Sequence, residues 1–340
     1  MLFARYIYGG VIFFLLSCPP VKGWAQVHLY SDMNLSSPAI AISDFDSDWS
    51  EIDSGEFAQA RLRAGIEFSV NNSWLVGVEE RIDYLLHFTQ ATAQFNQKLE
   101  NNELEAGQYP LWLKVNAVRS AGVFVKNIIP LSDSVRLQIT GYLLKPKQVQ
   151  NGVLTGSGEV YEDGSYQYHY ALDYAYSENE LFEHQGESVN GWGHSFDVTY
   201  EYSQENWNYS LELNDVGYRY YWQSVNQDKG CYSRPLGNCF FTTQDISQTQ
   251  NLPFSQQHTI TRNMGETSSV YVQGYEWSRL QALRLGGQIK EYVLAYDLLS
   301  GAVHFVYESD MVRIKLASDQ YDLSKSKYWQ AAVDFYWPIL

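Results

Sequence analysis

Six charged residues of one parity offer the first chemistry in the chain: Arg61, Arg63, Glu67, Glu79, Arg81 and Asp83. Side chains alternate along a strand, so all six project from a single face. Fixed charges of both signs lining a water-filled lumen would select solutes at a polar constriction. The same charges paired with one another would instead fill a narrow lumen and fix strand register. Both readings stay open from the sequence. Hydrolysis would need a nucleophile within reach of a base. His194 and Ser195 are adjacent, but strand neighbours face opposite sides and cannot form that pair. His87 shares a face with Asp83, and His169 with Asp173, yet neither has an identifiable serine partner. A Gly-rich phosphate loop, zinc-type Cys/His spacing and a dinucleotide fingerprint are all missing from the sequence. The reading is therefore non-enzymatic, without catalytic residues, cofactor or metal, and an outer-membrane hydrolase is kept as an alternative.

The elements that position these charges follow from alternation. Ala58, Ala60, Leu62, Ala64, Ile66, Phe68 and Val70 form an oily face opposite Arg61, Arg63 and Glu67. After Asn71-Asn72-Ser73, the run Trp74, Val76, Val78, Ile82, Tyr84, Leu86 and Phe88 is oily again, with Glu80 a misfit. This predicts a long antiparallel hairpin, longer than strands of a soluble sandwich. A similar run from Leu111 to Val125 is broken by Arg119 and is followed by Val135, Leu137, Ile139 and Leu143. Further strands are predicted over 151–162, 165–177, 189–204, 206–222, 268–277, 281–294, 302–308, 311–319 and 329–337. From Tyr166 to Tyr176 the even positions carry Tyr at all but Leu172, a stripe suited to an aromatic girdle or a segment above a membrane, with sugar stacking as the alternative. Segment 90–108 reads as a long loop with a turn or two of helix near Phe95. Segment 223–267 reads as an irregular outward loop, a possible lid.

The chain has 340 residues, 45% apolar and 16% aromatic, and its net charge of −16 argues against nucleic acid as a partner. Residues 1–25 resemble a secretory signal, with Arg5 in the positive region, an apolar core over Val11–Leu16 and Gly23-Trp24-Ala25 before the cleavage point. Leu15-Leu16-Ser17-Cys18 offers a lipoprotein signal as the alternative. Export puts Cys231 and Cys239 in an oxidising compartment, close enough to pair; such a bridge stabilises by roughly 2–3 kcal/mol in the chain-entropy model. Two free thiols are the alternative. Residues 26–55 read as an acidic periplasmic lead-in. Within it, Asp44-Phe45-Asp46-Ser47-Asp48 begins like a calcium loop but has Trp49 at the glycine position and Gly55 at the closing glutamate, so a solvated segment is expected, with weak divalent-ion binding as the alternative. No apolar run after Ala25 is long enough for a membrane helix, whereas a closed barrel can still cross.

These patterns predict an all-β chain, a transmembrane antiparallel up-and-down β-barrel of about fourteen strands (about 12–16) over 56–337. The chain looks like a bacterial outer-membrane barrel. Trp329, Ala331, Val333, Phe335 and Trp337 alternate in the last strand, similar to the pattern that barrel-assembly machinery reads, with Pro338-Ile339-Leu340 appended as a tail. Gly191-Trp192-Gly193-His194-Ser195-Phe196-Asp197-Val198, then Trp207, Leu211-Glu212-Leu213-Asn214-Asp215-Val216-Gly217 and Trp222, resemble a hairpin of the fatty-acid-transporter (FadL-like) and secretion-associated (PorV-like) superfamily. That resemblance implies passage of a hydrophobic molecule or assistance to a secreted component. The expected function is a channel or transport and secretion accessory in the outer membrane, in contact with its lipid and carrying a small solute, hydrophobic or saccharide cargo. A plugged structural or surface-binding barrel is the alternative.

Overall fold

The structure, a computed structural model, describes residues 26–46, 52–179, 184–185, 189–234 and 237–338. Alternating runs fold into strands β1 (Gln26–Ser36), β2 (Phe57–Ser69), β3 (Trp74–Phe88), β4 (Gly107–Ser132), β5 (Val135–Val160), β6 (Tyr166–Tyr176), β7 (Glu178–Asn179), β8 (His184–Gln185), β9 (Asn190–Gln204) and β10 (Trp207–Arg234). They continue as β11 (Gly237–Asn251), β12 (Ser255–Asn263), β13 (Ser268–Trp277), β14 (Leu280–Ile289), β15 (Tyr292–Asp297), β16 (Val303–Glu308), β17 (Val312–Ser318) and β18 (Tyr328–Pro338). One helix, α1 (Gln90–Glu100), is capped at Thr89, whose side chain accepts from the Thr92 backbone N–H.

Fourteen strands close into an antiparallel barrel, sealed where β1 pairs with β18, and two extra strands stand on its rim. The extra strands are β6 and β11. β5 and β10 each run through two neighbourhoods: their lower halves pair with β9, and their upper halves pair with β6. On its other side β10 pairs with β12 below and with β11 above. The wall is consequently tall at β4, β5 and β10, at 26, 26 and 28 residues, and low at β15 and β16, at 6 residues each.

Both ends of the closing seam, Gln26 and Pro338, lie at the end of the barrel that carries the tight turns near 71, 133, 205, 265, 290 and 310. Connections 37–56, 89–106, 177–189 and 319–327 lie at the other, long-loop end. The outer face is apolar and bare: Val123 is 53% exposed and Leu143 57%, and Val272, Leu285, Leu294, Phe305 and Leu316 continue the band around the low wall. An apolar surface this continuous is unsuited to water. Exposed Trp74, Trp207, Trp337 and Tyr292 ring the short-turn end, while Trp192 stacks on Tyr221 higher up. Between Val135 and Lys145, β5 runs about ten residues, the length at which a tilted strand crosses a bilayer.

Several expectations change. Residues 26–36 are the first barrel strand, not a lead-in: Val27, Leu29, Met33 and Leu35 alternate with His28, Tyr30, Asp32 and Asn34, and the strand supplies the seam. The segment that follows, 37–56, sits at the end opposite Gln26 and Pro338. The irregular loop expected over 223–267 is largely sheet: the upper half of β10 and β11 stand above the membrane, where polar Gln/Thr/Asn residues need no oily face, and β12 is a barrel strand paired with the lower part of β10. The strands read over 135–143 and 151–162 are one strand; a register shift beside Pro146-Lys147 flips the parity and hides the continuity. The run 281–294 is two strands broken at Lys290, which has φ of +54°. Helix α1 is longer than the turn or two expected. The tyrosine stripe lies in β6 with its rings stacked, above the level of Lys145. Residues 1–25, Ser47 to Glu51 of the acidic segment, and Ile339 and Leu340 lie outside the described residues.

Gly122 marks the closest backbone approach in this part of the wall: a Cβ there would stand 2.2 Å from the Leu143 carbonyl oxygen. Gly122→Ala is expected to destabilise the barrel by about 1–3 kcal/mol through forced strand displacement. Urea unfolding in lipid vesicles, followed by tryptophan fluorescence, checks this.

Candidate functional site: a charged layer across the lumen

Alternation turns the odd positions of β2 and β3 inward, so all six sequence-predicted residues line the lumen. Five of them meet in one layer. Arg63 Nη2 lies 2.8 Å from Asp83 Oδ1 and 3.2 Å from Asp215 Oδ2, and Arg61 also pairs with Asp215. Arg81 pairs with Glu79 on its own strand and places Nη1 2.6 Å from Asp215 Oδ1. Three guanidinium groups thus meet three carboxylates, and burial is deep: Arg81 is 1% exposed, Asp83 and Asp215 2%. Glu67, the sixth residue, sits nearer the short-turn end, where it pairs with Lys126 and faces His28 at 3.7 Å. Asp334 holds the other side of His28 at 3.0 Å.

Aromatic hydroxyls complete the layer. Tyr30 donates to Glu79 Oε2 at 2.6 Å, Tyr218 to Asp83 Oδ2 at 2.9 Å and Tyr142 to Asp197 Oδ2 at 2.7 Å. The Arg81 guanidinium lies 3.9 Å from the Tyr142 ring centroid. Arg81 Nη1 also donates to Ser195 Oγ at 2.9 Å. Ser195 therefore faces inward, while His194 stacks outside on Tyr221, so the adjacent pair points in opposite directions as alternation requires.

Asp215 reaches the layer through local backbone chemistry. It has φ of +62° and Gly217 +65°, and register shifts against β9 flank Val216. This double bulge turns Asp215 inward next to the inward Asn214. Its backbone N–H donates to Asp197 Oδ1 at 2.7 Å, locking the bend. The signal was legible as Asn-Asp-Val-Gly inside an otherwise regular strand, a bulge-forming composition. Asp197, Tyr142, Tyr218 and Tyr30 had only inward parity to mark them.

Two polar cavities abut the layer. The one toward the short-turn end, about 310 Å³, is lined by His28, Glu67, Lys126 and Asp334 among others. The other, about 340 Å³, is bounded by Glu212, Gln257, Arg284, Lys315 and Gln330. Asp32, Arg63, Glu79, Tyr142 and Arg313 face both. Farther toward the long-loop end, Tyr218, Tyr220 and Trp222 cover one wall with Val118 and Leu144, and Tyr328 with Leu280, Ala302 and Ala317 covers the opposite one.

The two misfits of the outer face also resolve. Arg119 donates to Glu80 Oε1 at 2.8 Å, and Lys147 Nζ lies 3.3 Å from the same oxygen. Cys231 is disulfide-bonded. It lies in the β10–β11 hairpin opposite Phe240, next to Cys239, whose side chain is outside the described residues. Among the described residues, no group of three or more His, Cys, Asp or Glu is arranged to hold a metal ion.

No known family profile and no curated protein matches the chain. Among solved structures, it is similar to the toluene transporter TbuX of Ralstonia pickettii at 8% identity and TM-score 0.35, over 94% of this chain and 90% of that one. It is similar to a Pseudomonas aeruginosa FadL homologue at 8% identity and TM-score 0.41, over 92% and 88%. The translocator domain of autotransporter NalP from Neisseria meningitidis matches at 7% identity and TM-score 0.34, over 92% and 87%. Overlaps this loose assign neither residue roles nor cargo.

Removing one member of a buried ion network strands its partners. Arg81→Met alone is expected to cost about 3–5 kcal/mol in vesicle unfolding, and combining it with Glu79→Gln should recover part of that loss. The chain, apolar outside and ion-paired within, is a transmembrane antiparallel β-barrel.

Proposed function

We propose that the protein is a bacterial outer-membrane channel for small hydrophilic solutes, held shut by the arginine–carboxylate layer. The observation behind this reading is that two polar cavities of the same lumen, about 310 and 340 Å³, both border that layer. A barrel filled for stability alone needs no such spaces, large enough for water, beside its charges. Paired charges are also a reversible closure, because each ion can exchange its partner for water. The short-turn end, which carries Gln26 and Pro338, would face the periplasm, and the long loops the exterior. The charged lining of both cavities favours a polar solute; the hydrophobic molecule implied by the β9–β10 resemblance would have to cross the same layer. Opposite facing of His194 and Ser195 supports a non-enzymatic role. Cys231 and Cys239 as disulfide partners would brace the rim outside this path.

A second reading draws on the tall wall. Tyr168 and Tyr170 stack with Tyr232 at centroid distances of 5.9 and 5.6 Å, a half-buried ladder at the rim suited to binding a planar or saccharide ligand. Conductance separates the two. In planar bilayers the native protein is expected to show brief or small openings, and the Arg81→Ala/Asp215→Ala variant, checked for heat-modifiable mobility, a persistent conductance at least several-fold larger. Silence of both folded proteins would discard the channel and leave the binding barrel.

A further inference from the structure

A charged corner interrupts the apolar outer wall at β3, β4 and β5. Glu80 on β3, Arg119 on β4 and Lys145 and Lys147 on β5 all project outward from strands that are otherwise apolar on that face. A single carboxylate oxygen, Glu80 Oε1, serves both Arg119 at 2.7 Å and Lys147 at 3.3 Å. Among the described residues, Lys145 reaches neutral acceptors, Asn190 Oδ1 at 3.1 Å and the Gly191 carbonyl at 3.3 Å. Three cations at this corner thus share one carboxylate among the described residues. Ionisable groups facing lipid are costly unless something compensates them, so their occurrence points to a role.

The level is that of a headgroup. Gly191, which Lys145 contacts, precedes Trp192, and the Trp192 ring stacks on Tyr221 at 4.7 Å, an amphipathic pair of the kind found at a membrane–water boundary. Toward the short-turn end, Leu143 and Val123 begin the bare apolar band. From the same corner a groove of about 500 Å³ extends over the outer wall, bordered by Leu29, Ile66, Val78, Val123 and Phe335, with Glu80 and Lys147 at its polar end. A basic cluster at headgroup level, opening into an apolar groove, is complementary to one amphiphile.

We propose that this corner binds one phosphate-bearing membrane lipid of the leaflet on the long-loop side. Its phosphate lies against Lys145 and Lys147 with Arg119 beside them, and an acyl chain occupies the groove. Glu80 holds Arg119 and Lys147 toward each other and limits the positive charge, which keeps the site usable before a lipid arrives. The proposal rests on the membrane placement argued above and is independent of whether the lumen conducts.

Native mass spectrometry of the full chain, refolded in non-ionic detergent, tests it with phosphatidylglycerol and phosphatidylcholine of the same acyl composition. One phosphatidylglycerol is expected to be retained, and phosphatidylcholine about five-fold less or weaker still. Lys145→Ala/Lys147→Ala should lower phosphatidylglycerol retention by about five-fold for each cation removed, while Lys325→Ala, at the long-loop end, leaves it unchanged. Ala121→Trp, which fills the groove and keeps every charge, should also lower retention. Excess inorganic phosphate should fail to displace the lipid. Equal retention of the two lipids, an unaffected double lysine variant or groove variant, or displacement by inorganic phosphate would each overturn the proposal. Heat-modifiable mobility of each variant verifies folding, and a non-conducting barrel would leave these outcomes unchanged.

Discussion

The register from Gln26 opposite Pro338 to Ser36 opposite Tyr328 closes the sheet, and without it two long strand edges would face lipid with unpaired amides. Nothing in a bilayer can satisfy such groups, so closure is the condition for every other feature. Once the seam holds, each strand has a lipid face and a lumen face. Polar residues alternating along β1, β2, β3, β9, β10 and β18 then have one place to go.

Crowding that many ions into the lumen creates its own requirement. Charges removed from bulk water must be paired, and here strands distant in sequence supply the partners: Arg61 and Arg63 from β2, Glu79, Arg81 and Asp83 from β3, and Asp215 from the bulge of β10. The pairing spans the lumen, so β10 is tied to the opposite β2–β3 hairpin through side chains as well as through the sheet. The outer wall obeys the same rule, with Glu80 answering Arg119 and Lys147. Above the membrane the rule relaxes, and β6, β10 and β11 carry the polar and tyrosine-rich sequences that lipid would exclude.

Strict period-two alternation made the β2–β3 hairpin, the closing strand and the inward direction of the six charges legible in sequence, because a one-residue error would have put arginine into lipid. Local breaks in that period hid the rest. The shift beside Pro146-Lys147 divided one strand into two, and the positive φ of Lys290 was indistinguishable from strand in a sequence of good alternation. β1 was overlooked because Ser31 and the Asp32 neighbourhood dilute its oily face. Pairings across the lumen, such as Arg81 with Asp215, depend on the curvature of the closed barrel and have no counterpart in local sequence. Nor do Glu80 and Arg119 declare themselves partners until β3 and β4 are placed in register.

The proposed closure requires the charged layer to keep the short-turn and long-loop sides of the lumen apart. Accessibility of a single cysteine tests that most directly. Ala332 lines the cavity on the short-turn side of the layer. In vesicles carrying the chain from Gln26 onward with Ala332→Cys, a small membrane-impermeant thiol reagent should label this position from the short-turn side and leave it untouched from the long-loop side. Labelling at equal rates from both sides, with the layer intact, would contradict the account.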